Sequence, residues 1–310
     1  MERAIPTTCS GGSDIEPPLV SIIVPAYNQA SRLAVCLEAL GNQSYRHDRY
    51  EIVVVDNGSD EPLRAVVAAW PRARYLFHPE PGAYSARNAG IRAAGGDVLA
   101  FTDSDCVPHP GWLESGVARL CAAPSSVVGG RVEVVARARH KPSAIELYDR
   151  FTSLDNARYV AQEGFSVTAN LFVRKDVLMQ VGLFDASLLS SGDKEWGRRA
   201  RSAGHPIVYA ADAIVEHPAR HRLSALINKR RRLLGGRCRN ASDRPGVDRR
   251  HLLLTAAGSL RPPIRYLRAL RDRTDLPSLD KLRIFAVEMA MRCVDLYEAL
   301  RLSVGGRPVR

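Results

Sequence analysis

The 310-residue chain predicts an α/β fold: a mostly parallel central sheet flanked by helices, followed by a helical C-terminal extension. Three observations carry that expectation. Apolar segments of strand length alternate with segments of helical period. Three of those strands end in polar clusters. Positive charge is concentrated in the last third of the chain. Taken in order, residues 1–17 are polar, rich in Pro, Gly and Ser, and lack an apolar core of signal-peptide length, so they are expected to form a disordered lead. Residues 19–28 read as an apolar strand stopped by Pro25, and Leu33, Leu37 and Leu40 mark the helix that follows. A second strand over residues 50–55 runs into Asp56-Asn57-Gly58-Ser59, where Asn-Gly signals a turn. Strand, helix, strand in this order implies parallel pairing through crossover helices, which gathers ligand-binding residues beyond the carboxyl ends of the strands.

A third strand, Val98-Leu99-Ala100-Phe101, leads directly into Thr102-Asp103-Ser104-Asp105. Residues two apart in extended chain point the same way, so Asp103 and Asp105 present hard oxygen ligands on one face. Such a pair suits Mg²⁺ or Mn²⁺ and, through it, a diphosphate. The same residues would also serve as a turn capping the helix expected from Trp112.

Composition sets the frame. At 45% apolar and 25% charged residues, the chain can bury a full core as one large domain with an appendage. Six scattered cysteines without a Cys-x-x-Cys pair fit a reducing cytosol, and no apolar run reaches the length that spans a bilayer. Residues 218–310 hold 22 Lys and Arg against 8 Asp and Glu, a net of +14, which leaves −3 for residues 1–217 of the total of +11. Within the basic part, residues 228–237 form an arginine-rich cluster. Farther on, Leu282, Phe285, Ala286, Met289, Cys293, Leu296, Tyr297 and Leu300 recur at helical spacing. That stripe is expected to pack on its own domain; the other reading is docking on an anionic membrane.

Five segments in order resemble the family-two inverting glycosyltransferases, whose GT-A fold is a Rossmann-like nucleotide-sugar-binding sheet. They are residues 21–28, residues 52–59, the Gly82-Ala83-Tyr84-Ser85-Ala86-Arg87-Asn88 segment, residues 97–105, and Ser191-Gly192-Asp193-Lys194-Glu195-Trp196. The resemblance spans about residues 18–217, which sets expected domains of 18–217 for catalysis and 218–310 for a basic helical extension. It implies a donor pocket formed by Pro25, Ala26, Tyr27, Asn28, Asp56, Ser59, Gly82, Arg87, Asp103 and Ser104. Asp56 would accept from a base N–H, which favours uracil or thymine. Arg87 would meet a phosphate or a carboxylate of the metal site. Asp103 and Asp105, joined by His217, would hold Mn²⁺ or Mg²⁺.

Asp193 would be the base that deprotonates the acceptor hydroxyl, with Glu195 as the alternative base and helix capping as the alternative role for Asp193. Gly192 stands where the family more often has an acidic residue. Trp196 and Arg237 would lie on the acceptor side, Trp196 as a platform or else as a core residue. The implied reaction moves a sugar from a nucleoside diphosphate sugar, most simply a UDP-sugar, to a glycan or lipid-linked acceptor. The implied setting is surface glycan assembly at the inner face of the plasma membrane. Two alternatives stand beside it. A nucleotidyltransferase would need a glycine-rich phosphate loop with lysine, which residues 25–33 lack. A binding protein without catalysis, for a nucleotide sugar or nucleic acid, would have to explain the carboxylates as structural and finds no zinc-finger or RNP-type motif.

Overall fold

The structure, a computed structural model, describes residues 16–188, 190–240 and 249–306, with backbone only at 237–240 and 249–251. The expected N-terminal lead lies outside these residues except for Glu16 and Pro17. Both are tied to Arg49, which pairs with the Glu16 carboxylate at 3.1 Å and donates to the Pro17 carbonyl at 2.8 Å.

The chain begins with β1 (Val20–Ala26), α1 (Ala30–Gly41), β2 (Tyr50–Asp56), α2 (Leu63–Ala68), β3 (Ala73–Phe77), α3 (Ala83–Ala93) and β4 (Val98–Phe101). The short β5 (Val107–Pro108), α4 (Trp112–Ala122) and β6 (Val127–Val135) follow. Next come α5 (Ala144–Thr152), α6 (Asn156–Arg158) with a π turn over Tyr159–Glu163, β7 (Leu171–Arg174), α7 (Lys175–Val181), α8 (Gly192–Ser202) and β8 (Ile207–Pro218). The extension is helical throughout its described part: α9 (Leu223–Asn240), α10 (Arg249–Leu260), α11 (Ile264–Arg271) and α12 (Ser278–Ser303).

Among the described residues the strands form one sheet in the order β3-β2-β1-β4-β7-β6-β8-β5. β3, β2, β1 and β4 pair in parallel, as the alternating strand and helix pattern requires. The other half departs from the expected parallel arrangement: β4–β7, β7–β6 and β8–β5 are antiparallel. The sheet is therefore mixed. Pro25 does not stop β1 but pairs with Val55 within it, near a strand end where a missing N–H costs little.

By its contacts the chain divides into two compact units. The first comprises Met1–Val132, Asn156–Phe184 and Asp193–Glu216; the second comprises Glu133–Asp155, Asp185–Gly192 and His217–Arg310. The second is thus larger than an extension beginning at residue 218, because α5 packs against α12. In the first unit, Ile23, Leu99, Phe101, Leu171, Val173, Leu178, Phe184 and Trp196 form one buried cluster across β1, β4, β7 and α8. Helix α3 lies unusually close to the sheet. A Cβ at Gly90 would come within 2.6 Å of Ile23 and 3.1 Å of Val55.

The second unit has apolar contacts among Leu147, Tyr148, Leu226, Leu270, Ile284 and Met291. It also buries charge. Asp149 is 1% exposed and takes Arg220 at 3.2 Å and Lys229 at 3.1 Å. The opposite charges hold the Asp149 carboxyl below its ordinary range despite burial, whereas burial and neighbouring Arg220 pull the Lys229 ammonium down to about 8. The arginine-rich cluster is therefore not a solvated face throughout: Arg230 pairs with Asp295 at 2.8 Å and Arg231 with Glu298 at 2.9 Å. The apolar stripe of α12 packs on the unit only in part, through Phe285. Leu282, Met289, Cys293, Tyr297 and Leu300 are exposed.

Candidate active site

The site is assembled where the parallel strands end. Beyond β1, Tyr27 is 58% exposed, and Asn28 takes a left-handed conformation (φ 44°) that turns the chain towards β2. Asn28 N donates to Ser59 Oγ at 2.9 Å, and Asn28 Oδ1 accepts from Asp60 N at 2.9 Å. These two bonds join the first two polar clusters. Pro25 is half-buried and Ala26 buried.

Asp56 is buried and engaged. Its Oδ1 accepts from Ser59 N at 2.9 Å and its Oδ2 from Tyr75 OH at 2.7 Å, so it forms the turn beyond β2. Asn57 reaches the next segment, donating to the carbonyls of His78 and Glu80 and accepting from Gly82 N at 2.7 Å. Gly82 itself has φ 137°, outside the range of an ordinary L-residue, and lets the chain enter α3 beside the strand ends.

Arg87, on α3, is 5% exposed and donates to Asp103 Oδ1 at 2.5 Å. Asn88 is structural: its amide exchanges two hydrogen bonds with the backbone of Phe184, at 2.7 and 3.0 Å. At the end of β4, Asp105 pairs with Arg32 at 3.2 Å, and the ligand atoms of Asp103, Asp105 and Cys106 lie within 4.8 Å of one another. Ser104, between the carboxylates, is buried. Cys36 and Cys106 are both fully buried. Burial first, and the two carboxylates second, push both thiols well above their ordinary range. Among these ligand atoms the carboxylate oxygens are the hard ones that suit Mg²⁺ or Mn²⁺. Pairing of Val107 with Glu216 brings the end of β8 alongside the segment that follows Asp105. His217, the next residue, is buried, and its Nδ1 lies 3.0 Å from the Pro218 carbonyl.

Asp193 lies in the first turn of α8. Tyr84 OH and Asp193 Oδ1 are 3.4 Å apart, and Lys194 N donates to Oδ1 at 3.0 Å. Burial raises the Asp193 pKa, Arg87 opposes that rise, and Asp103 adds to it. One guanidinium thus acts electrostatically on both carboxylates. Two buried polar atoms beside this cluster, Arg87 Nε and Thr102 Oγ1, have no protein partner, which fits a site built to receive a ligand.

In α8 the reading of Glu195 is corrected and that of Trp196 is decided for the core. Glu195 is held by Arg199 at 2.7 and 3.1 Å, and Arg199 also donates to the carbonyls of Val181 and Leu183, so Glu195 braces a loop and is not poised as a base. Trp196 is 1% exposed, packs on Phe184 and donates to the Gly182 carbonyl at 2.8 Å. It belongs to the core and cannot be an acceptor platform. The side chain of Arg237 lies outside the described residues. Sequence reading missed Arg32 and Tyr84. Arg32 sits on the outward face of α1, where spacing alone gives no signal. Tyr84 stands two residues after Gly82, inside a segment already singled out.

Residues 21–182 match the model of glycosyl transferase family 2. The chain belongs to glycosyltransferase family 2. Over 208 residues it is 40% identical to glycosyltransferase AglE of Haloferax volcanii, covering 66% of this chain and 68% of the relative. It is 30% identical over 217 residues to the pre-mycofactocin glycosyltransferase of Mycobacterium tuberculosis, of which it spans only 43%. Among solved structures it resembles mannosyltransferase PcManGT from Pyrobaculum calidifontis in complex with GDP-Man and Mn²⁺. That match has a TM-score of 0.61 at 20% identity and covers 94% of this chain and 90% of that one. TarS of S. aureus matches with a TM-score of 0.53 at 19% identity over 90% of this chain and 54% of that one. These likenesses establish the GT-A fold for this family-two glycosyltransferase.

Proposed function

We propose that this family-two glycosyltransferase is a metal-dependent inverting enzyme that transfers a sugar from a UDP-sugar to a hydroxyl of a glycan or lipid-linked acceptor. The observation that supports it most is the placement of Arg87 against Asp103, with its charge also acting on Asp193. Donor-side and acceptor-side carboxylates are thereby referred to one fixed cation.

In this reading Tyr27, Pro25 and Ala26 wall the nucleoside, and Asn28 and Ser59 fix the loop behind it. Asp56 accepts from a ring N–H with a lone pair that neither Ser59 nor Tyr75 takes. Gly82 admits the donor close to the backbone, and Ser104 fixes the turn between the ligands. Asp103 and Asp105 are the hard carboxylates that would hold Mn²⁺ or Mg²⁺, with His217 the third ligand that the family resemblance implies. When bound, such an ion offsets the charge that develops on the departing diphosphate. The orphaned Nε of Arg87 supplies a further donor to a phosphate oxygen. Asp193 takes the proton from the acceptor hydroxyl as that oxygen attacks the anomeric carbon from the face opposite the diphosphate. Its half-buried position and raised pKa strengthen it as a base.

Among the described residues no helix is long and apolar enough to cross a membrane. The family resemblance implies a lipid-linked acceptor met by peripheral contact at the cytoplasmic membrane surface.

The test is thermal stabilisation by UDP, GDP, dTDP and CDP, each with and without Mn²⁺. UDP at about a hundred times its dissociation constant is expected to add about 2.7 kcal/mol in the presence of Mn²⁺. Asp105→Ala should lose that shift. A larger shift with GDP would overturn the assignment of the base, and a shift indifferent to Mn²⁺ would overturn the metal site.

A further inference from the structure

Helix α12 buries carboxylates among its inward apolar residues and still leaves apolar side chains on its outer face. Its inward face buries Glu288 and Glu298 together with Ile284, Met291 and Leu302. Glu288 accepts from Tyr148 OH at 2.8 Å and Asp295 pairs with Arg230 at 2.8 Å. Glu298 is fully buried between Arg231 and Arg301. The acidic residues of the helix are consumed by the unit's own arginines. The opposite face is apolar and open: Leu282 is 63% exposed, Tyr297 62%, Leu300 53% and Met289 40%, with Cys293 exposed between them. At 3.6 residues per turn these five side chains fall within a sector about 80° wide and run for about 27 Å. Soluble surfaces rarely leave a contiguous apolar strip of that extent without a partner.

The chemistry of the rims selects the partner. Arg283 and Arg301 flank the strip on one side, paired with Asp280 and Glu298, and Lys281 and Arg292 flank it on the other, Lys281 on the Arg271 carbonyl and Arg292 beside Glu288; no acid lies within the strip. Two copies laid face to face would bring together two surfaces of the same net positive charge, which opposes self-association. An anionic lipid surface matches both features, taking the apolar strip into the acyl boundary and the cations into the headgroups. The net charge of +14 over residues 218–310 points the same way. Helix α11 continues the pattern beside α12, which it meets through Lys281 Nζ donating to the Arg271 carbonyl at 3.0 Å. Its Ile264 and Leu267 are exposed beside Arg268.

We propose that the exposed face of α12 docks this protein on an anionic lipid bilayer. The inference rests on the proposed function only for the reason such a surface would be visited, a lipid-linked acceptor. Its test contains no sugar nucleotide.

The full chain is sedimented with phosphatidylcholine vesicles and with vesicles containing phosphatidylglycerol, at low and high salt. Binding is expected on the anionic vesicles at low salt, at least about tenfold stronger than on phosphatidylcholine alone. The combined variant Leu282→Gln, Met289→Gln, Tyr297→Gln, Leu300→Gln should lose at least about tenfold of that binding. Val35→Gln with Met179→Gln, exposed positions in the first unit, should lose none. Alkylation of Cys293 in the unaltered protein, resolved by peptide mapping, should slow at least about tenfold on anionic vesicles, a readout that needs no variant. Nucleotide-dependent stabilisation retained by the combined variant would show that its site is intact, so failure of docking and failure of the donor-site reading are separable. Equal pelleting of the combined variant and the parent would overturn the proposal. So would unchanged alkylation of Cys293, or a parent dimer in light scattering that the variant abolishes.

Discussion

Asp193→Asn removes the proposed base while keeping its shape. An amide oxygen can still accept from Lys194 N, so the start of α8 should hold. A general base contributes about 10²–10⁴ in rate, and at about 1.36 kcal/mol per decade its loss raises the barrier by about 2.7–5.5 kcal/mol. The expected result is a fall of that size in kcat, measured as sugar transfer under saturating donor, with nucleotide stabilisation in Mn²⁺ unchanged. Stability should move the other way. Burial raises the folded-state pKa of Asp193 above its unfolded value, so its contribution to stability is present at low pH and lost as pH rises through the folded value. At neutral pH the ionised group is a net cost, and Asn relieves it, which predicts an equal or higher Tm. The parent's rate should rise with pH through a limb above the ordinary carboxylate range, because the base must be ionised to act. Loss of less than tenfold in kcat, or matching loss of nucleotide binding, would refute the role of Asp193.

Two further outcomes test the frame. Lys229, drawn down to about 8, is less protonated in the folded than in the unfolded state, so stability should climb as pH rises from about 8 to 10.5. Urea midpoints should show that climb, with a slope of at most about 1.4 kcal/mol per pH unit from this group, and Lys229→Met should flatten it. Gly90→Ala forces a methyl to within 2.6 Å of Ile23 and should cost about 1–3 kcal/mol in urea unfolding, since α3 must lift from β1.

The parallel half of the sheet was legible because its strands are continuous apolar runs broken by turn chemistry: Val98–Phe101 is fully buried and begins and ends where periodicity placed it. The antiparallel half was not, since β7 has only four residues and its direction depends on pairing with β4, a long-range contact that no local pattern encodes. In the candidate site, Asp103 and Asp105 were singled out on the assumption of an extended chain, but β4 ends at Phe101 and a turn closed by Cys106 N on the Asp103 carbonyl at 3.0 Å brings the two carboxylates together. The role of Trp196 stayed open between platform and core, and Glu195 was misread, for a shared reason. In a helix that approaches a substrate, the sequence does not say which side faces the core, and here Trp196 meets Phe184 while Arg199 captures Glu195. Helix α12 is apolar on two faces: Ile284, Met291 and Leu302 are buried beside Glu288 and Glu298, whose charges meet Tyr148, Arg231 and Arg301, so spacing alone could not say which of its apolar rows packs inward.

The double amide bridge between Asn88 and Phe184 has a mechanical consequence. Asn88 is the neighbour of Arg87 on α3, and the loop it grips is the one that Arg199 and Trp196 of α8 hold from the other side. Donor helix and base helix are thus clamped to a single short strut. In the proposed mechanism this shared strut would hold Asp193 and Arg87 in a constant relation, so the reach from anomeric carbon to base would be set by the protein, and acceptors would be sorted by whether their hydroxyl fits that gap.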